Sequence, residues 1–595
     1  MIIRNSTNDS RAGMAMAATV ITVFTTAAMV AVMLTLATSS NDMADVQRFD
    51  TQARYLAEGA LEVTRKEIQD DLANWGIPDT SYSVNVGGNV VDVQVAPSGF
   101  LNAESDPSGI NTWHIGYIMT ATAGSGDSVE TVRELITAEA TPVFQFAVFY
   151  TTDLEVHPGP NMDLGGRVHS NQDMFLTTNK NTLTLDTNYV RAVGDINRHR
   201  KFDLYSSTGT VDIRKWVADP FSEPNAEFVS MPSMIDMFND GVSAPGGYGS
   251  TFAGFDGNLD GDFDDLGEYL PWAYGALEYW KQPDGYTNGT GTTVLSGEHG
   301  IGEAVTPQVE SIAKYEPTEG GSYIYDETTE TYTDVGAGFG DHSKAFFHSE
   351  AAITIMVMDD GSFEAYDTLG NDISADLAPA VSVIDLFDAR QGGDVTVAEL
   401  DLEALGALDM WPANKLIYAC SESVGEGVHC GGVVLKNGEK LADGISVVSE
   451  GALYVQGDFN TEDKKGASVI ADAVNLLSNS WDGSKDNSSG LTKASETTYN
   501  VAIVTGNTDS LNSGYNGGLE NLPRFHERWS GVNCNLTGSF VNTWRNDYCT
   551  GPWQYGSNIY TAPRRRWAYD TDFNNLEDLP PYTPMAVSAA TVVRW

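Results

Sequence analysis

The sequence predicts an α+β fold that is mostly β: a long N-terminal transmembrane helix followed by a large β-rich ectodomain, either a β-solenoid or a β-sandwich. Three observations predict it. Met14 to Ser40 contains no charged residue, and about 20 helical residues are enough to cross the hydrocarbon core of a bilayer. Asp42 to Leu72 contains no proline and a single glycine, Gly59. Beyond Ser81 the chain becomes short alternating runs cut by Gly, Asn and Asp, which is strand-and-turn chemistry.

The apolar run is helical because only a helix satisfies its own backbone hydrogen bonds in lipid as a single segment. Arg4 and Arg11 precede it, and Asp42 and Asp45 follow it. The positive-inside rule keeps the arginines in the cytoplasm and puts everything after Asp42 outside. A secretory signal peptide has the same polarity, but here the run is too long and leads into more helix rather than a cleavage site. Val46, Phe49, Ala53, Leu56, Ala60 and Val63 then step by three and four, an a/d seam. One continuous helix over residues 14–78 is expected, with its membrane part at 14–40, ending near Gly76-Ile77-Pro78.

The short basic leader ending in Arg11-Ala12-Gly13, the uncharged helix and the stretch Arg54 to Glu62 resemble the N-terminus of type IV pilin-like proteins, and of the PilX-type minor pilin class among them. The resemblance covers about the first 75 residues. It implies residues 1–13 as a leader, removed by a prepilin peptidase between Gly13 and Met14. It also implies insertion of the helix among other pilin-like subunits, residence in the inner membrane before assembly, and a final place on a surface filament. Major pilins carry a glutamate at the fifth residue of the mature chain; here that residue is Ala18. The departure fits a minor or tip component better than the bulk subunit.

Composition agrees with an extracytoplasmic location. The 595-residue chain has 33 Lys and Arg against 82 Asp and Glu, a formal net charge of −49. So anionic a surface repels nucleic acid and anionic lipid, which excludes both as expected partners of the head, and it suits divalent cations. The four cysteines fall into two pairs close in sequence, Cys420 with Cys430 and Cys534 with Cys549. In an oxidising compartment these predict two short-loop disulfides. There is no CxxC, so nothing supports a zinc site.

Residues 79–142 read as antiparallel strands, with Gly87-Gly88-Asn89 turning the first pair, laid as a sheet on the exposed half of the helix. Residues 143–595 read as the β-rich body. Its glycine-punctuated phrases at Leu164–Leu176, Gly431–Gly438, Gly444–Ser449 and Gly451–Asn460 suit coils of a parallel solenoid. A sandwich with Gly-rich turns has the same composition. An irregular insert occupies about 222–350. Within it Asp256, Asn258 and Asp260 follow the D-x-N-x-D spacing, with Gly261 at the sharp turn and Asp262 and Asp264 at later ligand positions. That spacing wraps oxygens around one hard cation, so Ca2+ is the expected ion. Gly267 stands at the twelfth position, where Glu268 or Asp265 has to substitute.

Lys464 to Trp481 has apolar residues at helical spacing and reads as a packed helix bearing a structural Asp472. Glu520, Arg524, His526, Glu527 and Arg528 gather acid, base and cation in one short stretch. Internal ion pairing is the simpler reading of such a stretch, and catalysis the sharper one. Arg564, Arg565 and Arg566 stand among Tyr560, Trp567, Tyr569 and Phe573, which predicts ion pairs inside the ectodomain or, more sharply, a stacking platform for sugars. No P-loop, G-x-G-x-x-G after a strand, H-E-x-x-H or G-x-S-x-G occurs. Two functions follow. The first is a non-enzymatic pilin-like structural or adhesive surface protein meeting a surface glycan, a host or a substratum ligand. The alternative is a membrane-anchored or secreted β-solenoid enzyme acting on polysaccharide.

Overall fold

The computed structural model describes residues 9–74, 76–106, 108–126, 128–201, 208–216, 227–231, 293–314, 323–326, 331–334, 345–423, 430–483, 491–508, 510, 515–516, 518–551, 556 and 559–595. Helix α1 runs unbroken from Asp9 to Ala73, 65 residues. It ends where Asn74 and Gly76 donate their backbone N–H groups to the carbonyls of Asp70 and Asp71, just before Pro78, which cannot continue a helix.

The second half of α1 lies on a five-stranded antiparallel sheet. Four strands follow the helix directly: β1 (Ser81–Val86), β2 (Asn89–Ser105), β3 (Asn111–Ser125) and β4 (Ser128–Pro142). Gly87 and Gly88 turn β1 into β2 with φ of 58° and 87°, the doubly positive geometry whose twist matches a hairpin. The fifth strand is the C-terminal segment Met585–Arg594, paired antiparallel with β4 from Met585 opposite Pro142. The sequence reading placed this segment in the body. Its Ala/Val pattern suits either sheet, and only the pairing partner, hundreds of residues away, decides between them.

The helical face that is buried also differs from the expected seam. Leu56, Ala57, Ala60, Leu61 and Ile68 pack against Val91, Val93, Met119 and Ile136. Val46 and Val63 stay 53% and 42% exposed. A flat sheet takes the 3.6-residue stripe of a straight helix, not the 3.5-residue seam of a coiled coil. Gly59 sits where an added Cβ would come 3.0 Å from Val86 Cγ1, so the helix crosses close to the first hairpin.

The body occupies the connection between β4 and the C-terminal strand. Its strands used below are β5 (Val148–Tyr150), β6 (Val168–Ser170), β7 (Val190–Ala192), β8 (Ile445–Gln456), β9 (Ala467–Leu477), β10 (Thr497–Asn500), β11 (Ala502–Thr505), β12 (Asn533–Gly538), β13 (Phe540–Asn542) and β14 (Arg564–Tyr569). In the central sheet the order is β7-β6-β5-β13-β11-β9-β8, every neighbour parallel. A second ladder, β10-β12-β14, is also parallel. The last strand of the central stack, β13, pairs with the first, β5. The chain therefore enters and leaves the body at one place, which is what the pairing of Pro142 with Met585 requires.

The segment read as a helix at Lys464–Trp481 is strand β9, with all eleven residues buried. A run buried on both faces has no alternation to betray it, and a central parallel strand then looks like a core helix. Here Val469 and Ile470 lie between β8 and β11, where β-branched side chains pack well.

The sheet on α1 also touches the body through the tip of the β2–β3 hairpin. Arg167, buried, donates to the carbonyls of Ser108 (3.1 and 2.8 Å) and Gln145 (2.7 Å) and to Asn574 Oδ1 (2.7 Å). Asn111 adds bonds to Gln145 Oε1 and the Asn574 carbonyl.

Candidate functional site

The feature of α1 that asks for a function is its first half. Met16, Phe24, Met29, Met33, Leu34 and Leu36 are exposed, with no protein packed on them. By length and composition the helix can cross a membrane, with an apolar window of mean hydropathy 2.2. Its threonines do not disturb that apolar surface. Thr22, Thr26 and Thr35 donate their hydroxyls to the carbonyls of Ala18 (2.8 Å), Thr22 (2.7 Å) and Ala31 (2.8 Å), leaving no unmet donor to face lipid or another helix. Gly13 and Met14, the expected cleavage pair, lie within α1.

Where the helix meets the sheet, a buried carboxylate ties three elements together. Glu134 of β4 is 0% exposed. It accepts from Arg65 of α1 (2.6 Å) and from Thr591 (2.5 Å) and Arg594 (2.7 Å) of the C-terminal strand. Arg594 also reaches Glu62 of α1 at 2.7 Å. Burial alone would raise the Glu134 carboxyl, but the hydrogen bonds from Thr591, Arg594 and Arg65 outweigh it and hold the group below its ordinary range. The strand Met585–Arg594 is thus locked to α1. Sequence reasoning missed this cluster because it joins Glu134 to Thr591 and Arg594, 457 and 460 residues further on.

The predicted disulfides are corrected by the structure. Cys430 bonds Cys549 across 119 residues, with Cα atoms 5.4 Å apart, while Cys420 and Cys534 are free and buried. Nearness in sequence misleads here because parallel strand pairing brings distant residues into register. Cys420 sits in strand Leu416–Ser421 with its Sγ 3.3 Å from Met356 Sδ. Cys430 and Cys549 share a core cluster with Val434, Tyr454 and Leu477. Asp472 supports the same loop from below: its buried carboxylate accepts the backbone N–H groups of Asp547 (2.8 Å), Tyr548 (3.1 Å) and Cys549 (2.6 Å). Its expected structural role is what the contacts describe.

The stretch from Glu520 to Arg528 does not form one site. Glu520 accepts from the His157 backbone at 2.6 Å and from Tyr515 at 3.1 Å, and burial pushes it up to about 7 although Arg565 opposes the shift. Arg524 donates to the Cys549 carbonyl at 2.6 Å. His526 contacts Asn475 at 2.8 Å and lies 3.8 Å from Asp388, and its burial lowers its pKa. Glu527 holds Ser478, while Arg528 is exposed. Arg524 and His526 thus share the buried Asp388 as an electrostatic partner, while Glu520 and Glu527 make contacts of their own. Of the aromatics near Arg564–Arg566, Tyr560, Trp567 and Phe573 are buried in the core, so no exposed stacking platform is formed by them. The acidic loop with Asp256, Asn258, Asp260, Asp262, Asp264 and Glu268 lies outside the described residues. Among the described residues, no group of three His, Cys, Asp or Glu side chains is placed to hold a metal.

No protein-family model and no curated protein sequence matches the chain. Among solved structures it is similar to the competence-associated pilin ComZ from Thermus thermophilus. That likeness has a TM-score of 0.22 at 10% identity, over 91% of this chain and 98% of that one. At that score it sets neither fold nor function, and the reading below rests on the helix.

Proposed function

We propose that this chain is a pilin-like subunit of a surface filament, a minor or tip component, which displays its body outside the cell. One observation carries the reading: a single 65-residue helix is packed on its own sheet over one half and bare and apolar over the other. Such a helix needs lipid first and like helices afterwards, since its exposed methyl groups have no partner in this chain. The leader-like Arg11-Ala12-Gly13 in its first turns supports prepilin processing at Met14.

The body is read as a β-solenoid without catalytic activity. Its parallel ladders place Val148, Val168 and Val190 side by side, a step of about one coil each time. Calcium is proposed for the Asp256–Glu268 loop on its spacing alone; titration calorimetry on the chain and on Asp256→Ala/Asp260→Ala tests it. The decisive experiment for the whole reading is N-terminal mass spectrometry of protein from cells with and without prepilin peptidase. A new terminus at Met14 that needs the peptidase, with the chain recovered in sheared filaments, is the expected result. Trimming near Ser40, or recovery in the cytosol, overturns it.

A further inference from the structure

Among the described residues, one flank of the body carries cations without a side-chain hydrogen bond or ion pair. The outward rows of the β10-β12-β14 ladder follow from its register. Thr498, Asn535 and Arg566 form one row, and Asn533 beside Arg564 begins the next. Arg564 and Arg566 are exposed on β14, while Arg565 and Trp567 turn inward between them. At the corner leading into this ladder, Lys493, Arg528 and Thr561 are bridged in parallel from coil to coil, with Lys493 and Arg528 exposed. Neighbouring coils lie about 4.8 Å apart and three extended residues span at most about 10 Å. Arg528 is therefore within side-chain reach of the ground that Arg564 covers.

Among the described residues, Lys493, Arg528, Arg564 and Arg566 make no side-chain hydrogen bond and no ion pair within 4.0 Å. Nearby stands Glu496, whose carboxyl is lowered by bonds from Asn533 and Asn535, with Arg566 adding to the effect. Asp163, on the neighbouring strand Met162–Gly165, is the acid on the other side. In a chain of 33 cations against 82 acids, a face that leaves four cations unspent is the exception. Between them lie neutral groups suited to hydroxyls. Asn535 Nδ2 meets Glu496 at 3.1 Å and Thr498 at 3.3 Å, and Asn533 Oδ1 has no donor.

We propose that this face binds a carboxylated polysaccharide, a polymer of uronic-acid type. Guanidinium groups pair with carboxylates through two parallel bonds, and the amide and threonine rows match the hydroxyls between successive carboxylates. A ladder repeating at coil spacing offers a straight, flat track to a linear polymer. Duplex nucleic acid fits less well, because its continuous phosphate charge meets the acidic remainder of the surface. A peptide would look for exposed apolar pockets, and Tyr560, Trp567 and Phe573 are buried. This inference is independent of the filament reading.

The test uses the full chain in a zwitterionic detergent, with polygalacturonate as probe and neutral dextran and duplex DNA as comparisons. Polygalacturonate binding that weakens with salt is expected, since exposed charges are screened. Arg528→Gln/Arg564→Gln/Arg566→Gln should weaken it by about tenfold, three exposed pairs together giving roughly that ratio. Glu496→Gln should tighten binding, and Lys440→Gln, at an ion pair with Asp463 elsewhere, should leave it unchanged. These side chains are exposed or peripheral, so an unchanged circular dichroism melt accompanies each variant. Equal binding by the triple variant, dextran binding as well as polygalacturonate, or DNA binding in its place overturns the proposal.

Discussion

Changing Cys430 to serine offers the sharpest check on how the body is fastened. The Cys430–Cys549 bond closes a loop of 119 residues. In the chain-entropy treatment a loop of that size restricts the unfolded state by about 5 kcal/mol, with about 2–5 kcal/mol usual when a native disulfide is removed. The loss should exceed that of Cys420→Ser, because Cys420 closes no loop and only packs beside Met356. Part of the cost falls on Asp472, whose carboxylate depends on the backbone of Asp547 to Cys549 remaining in place. Asp472→Asn in the Cys430→Ser background should therefore cost less than in the parent, a coupling visible in a double-mutant cycle. Non-reducing peptide mapping gives the pairing directly, and denaturant melts give the energies. A Cys420–Cys430 peptide, or equal losses for Cys420→Ser and Cys430→Ser, would refute the reasoning.

Glu134→Ala leaves Arg65 and Arg594 without their shared buried acceptor and should destabilise the helix–sheet unit by about 3–5 kcal/mol, read as faster amide exchange in β4 and the C-terminal strand. Because the Glu134 carboxyl is held low, its contribution is present above the unfolded carboxyl range and disappears as pH falls through the lowered value. Glu520 behaves in the opposite sense. Its rise from 4.5 to about 7 means that stability is full below 4.5 and is lost as pH rises towards and past 7, by about 3 kcal/mol in all. Glu520→Gln should flatten that part of the stability–pH curve, and an unchanged curve would count against the buried placement. Gly59→Val should push α1 off the first hairpin, since even a Cβ meets Val86 at 3.0 Å; a melt no lower than the parent's would contradict that close crossing.

Much of the N-terminal architecture was legible because its signals are local. The uncharged run, the proline-free continuation and the alternating strands up to Ala140 each declare themselves within a dozen residues, and the Gly87-Gly88 turn has the geometry its composition implies. The seam on α1 was legible only in part: the apolar spacing was there, but which face is buried depends on whether a sheet or another helix receives it. The β9 run was misread for the converse reason, since burial on both faces erases the period that separates helix from strand.

By itself, the sequence determined the membrane-length helix, the strongly acidic charge and the β-rich body, because hydropathy, charge and turn chemistry act along the chain. Only the tertiary structure decided the Cys430–Cys549 pairing, the return of the last strand to β4 and the clamp at Glu134. Each of these joins residues more than a hundred positions apart. Such contacts are selected by the register of paired strands, and no local pattern records that register.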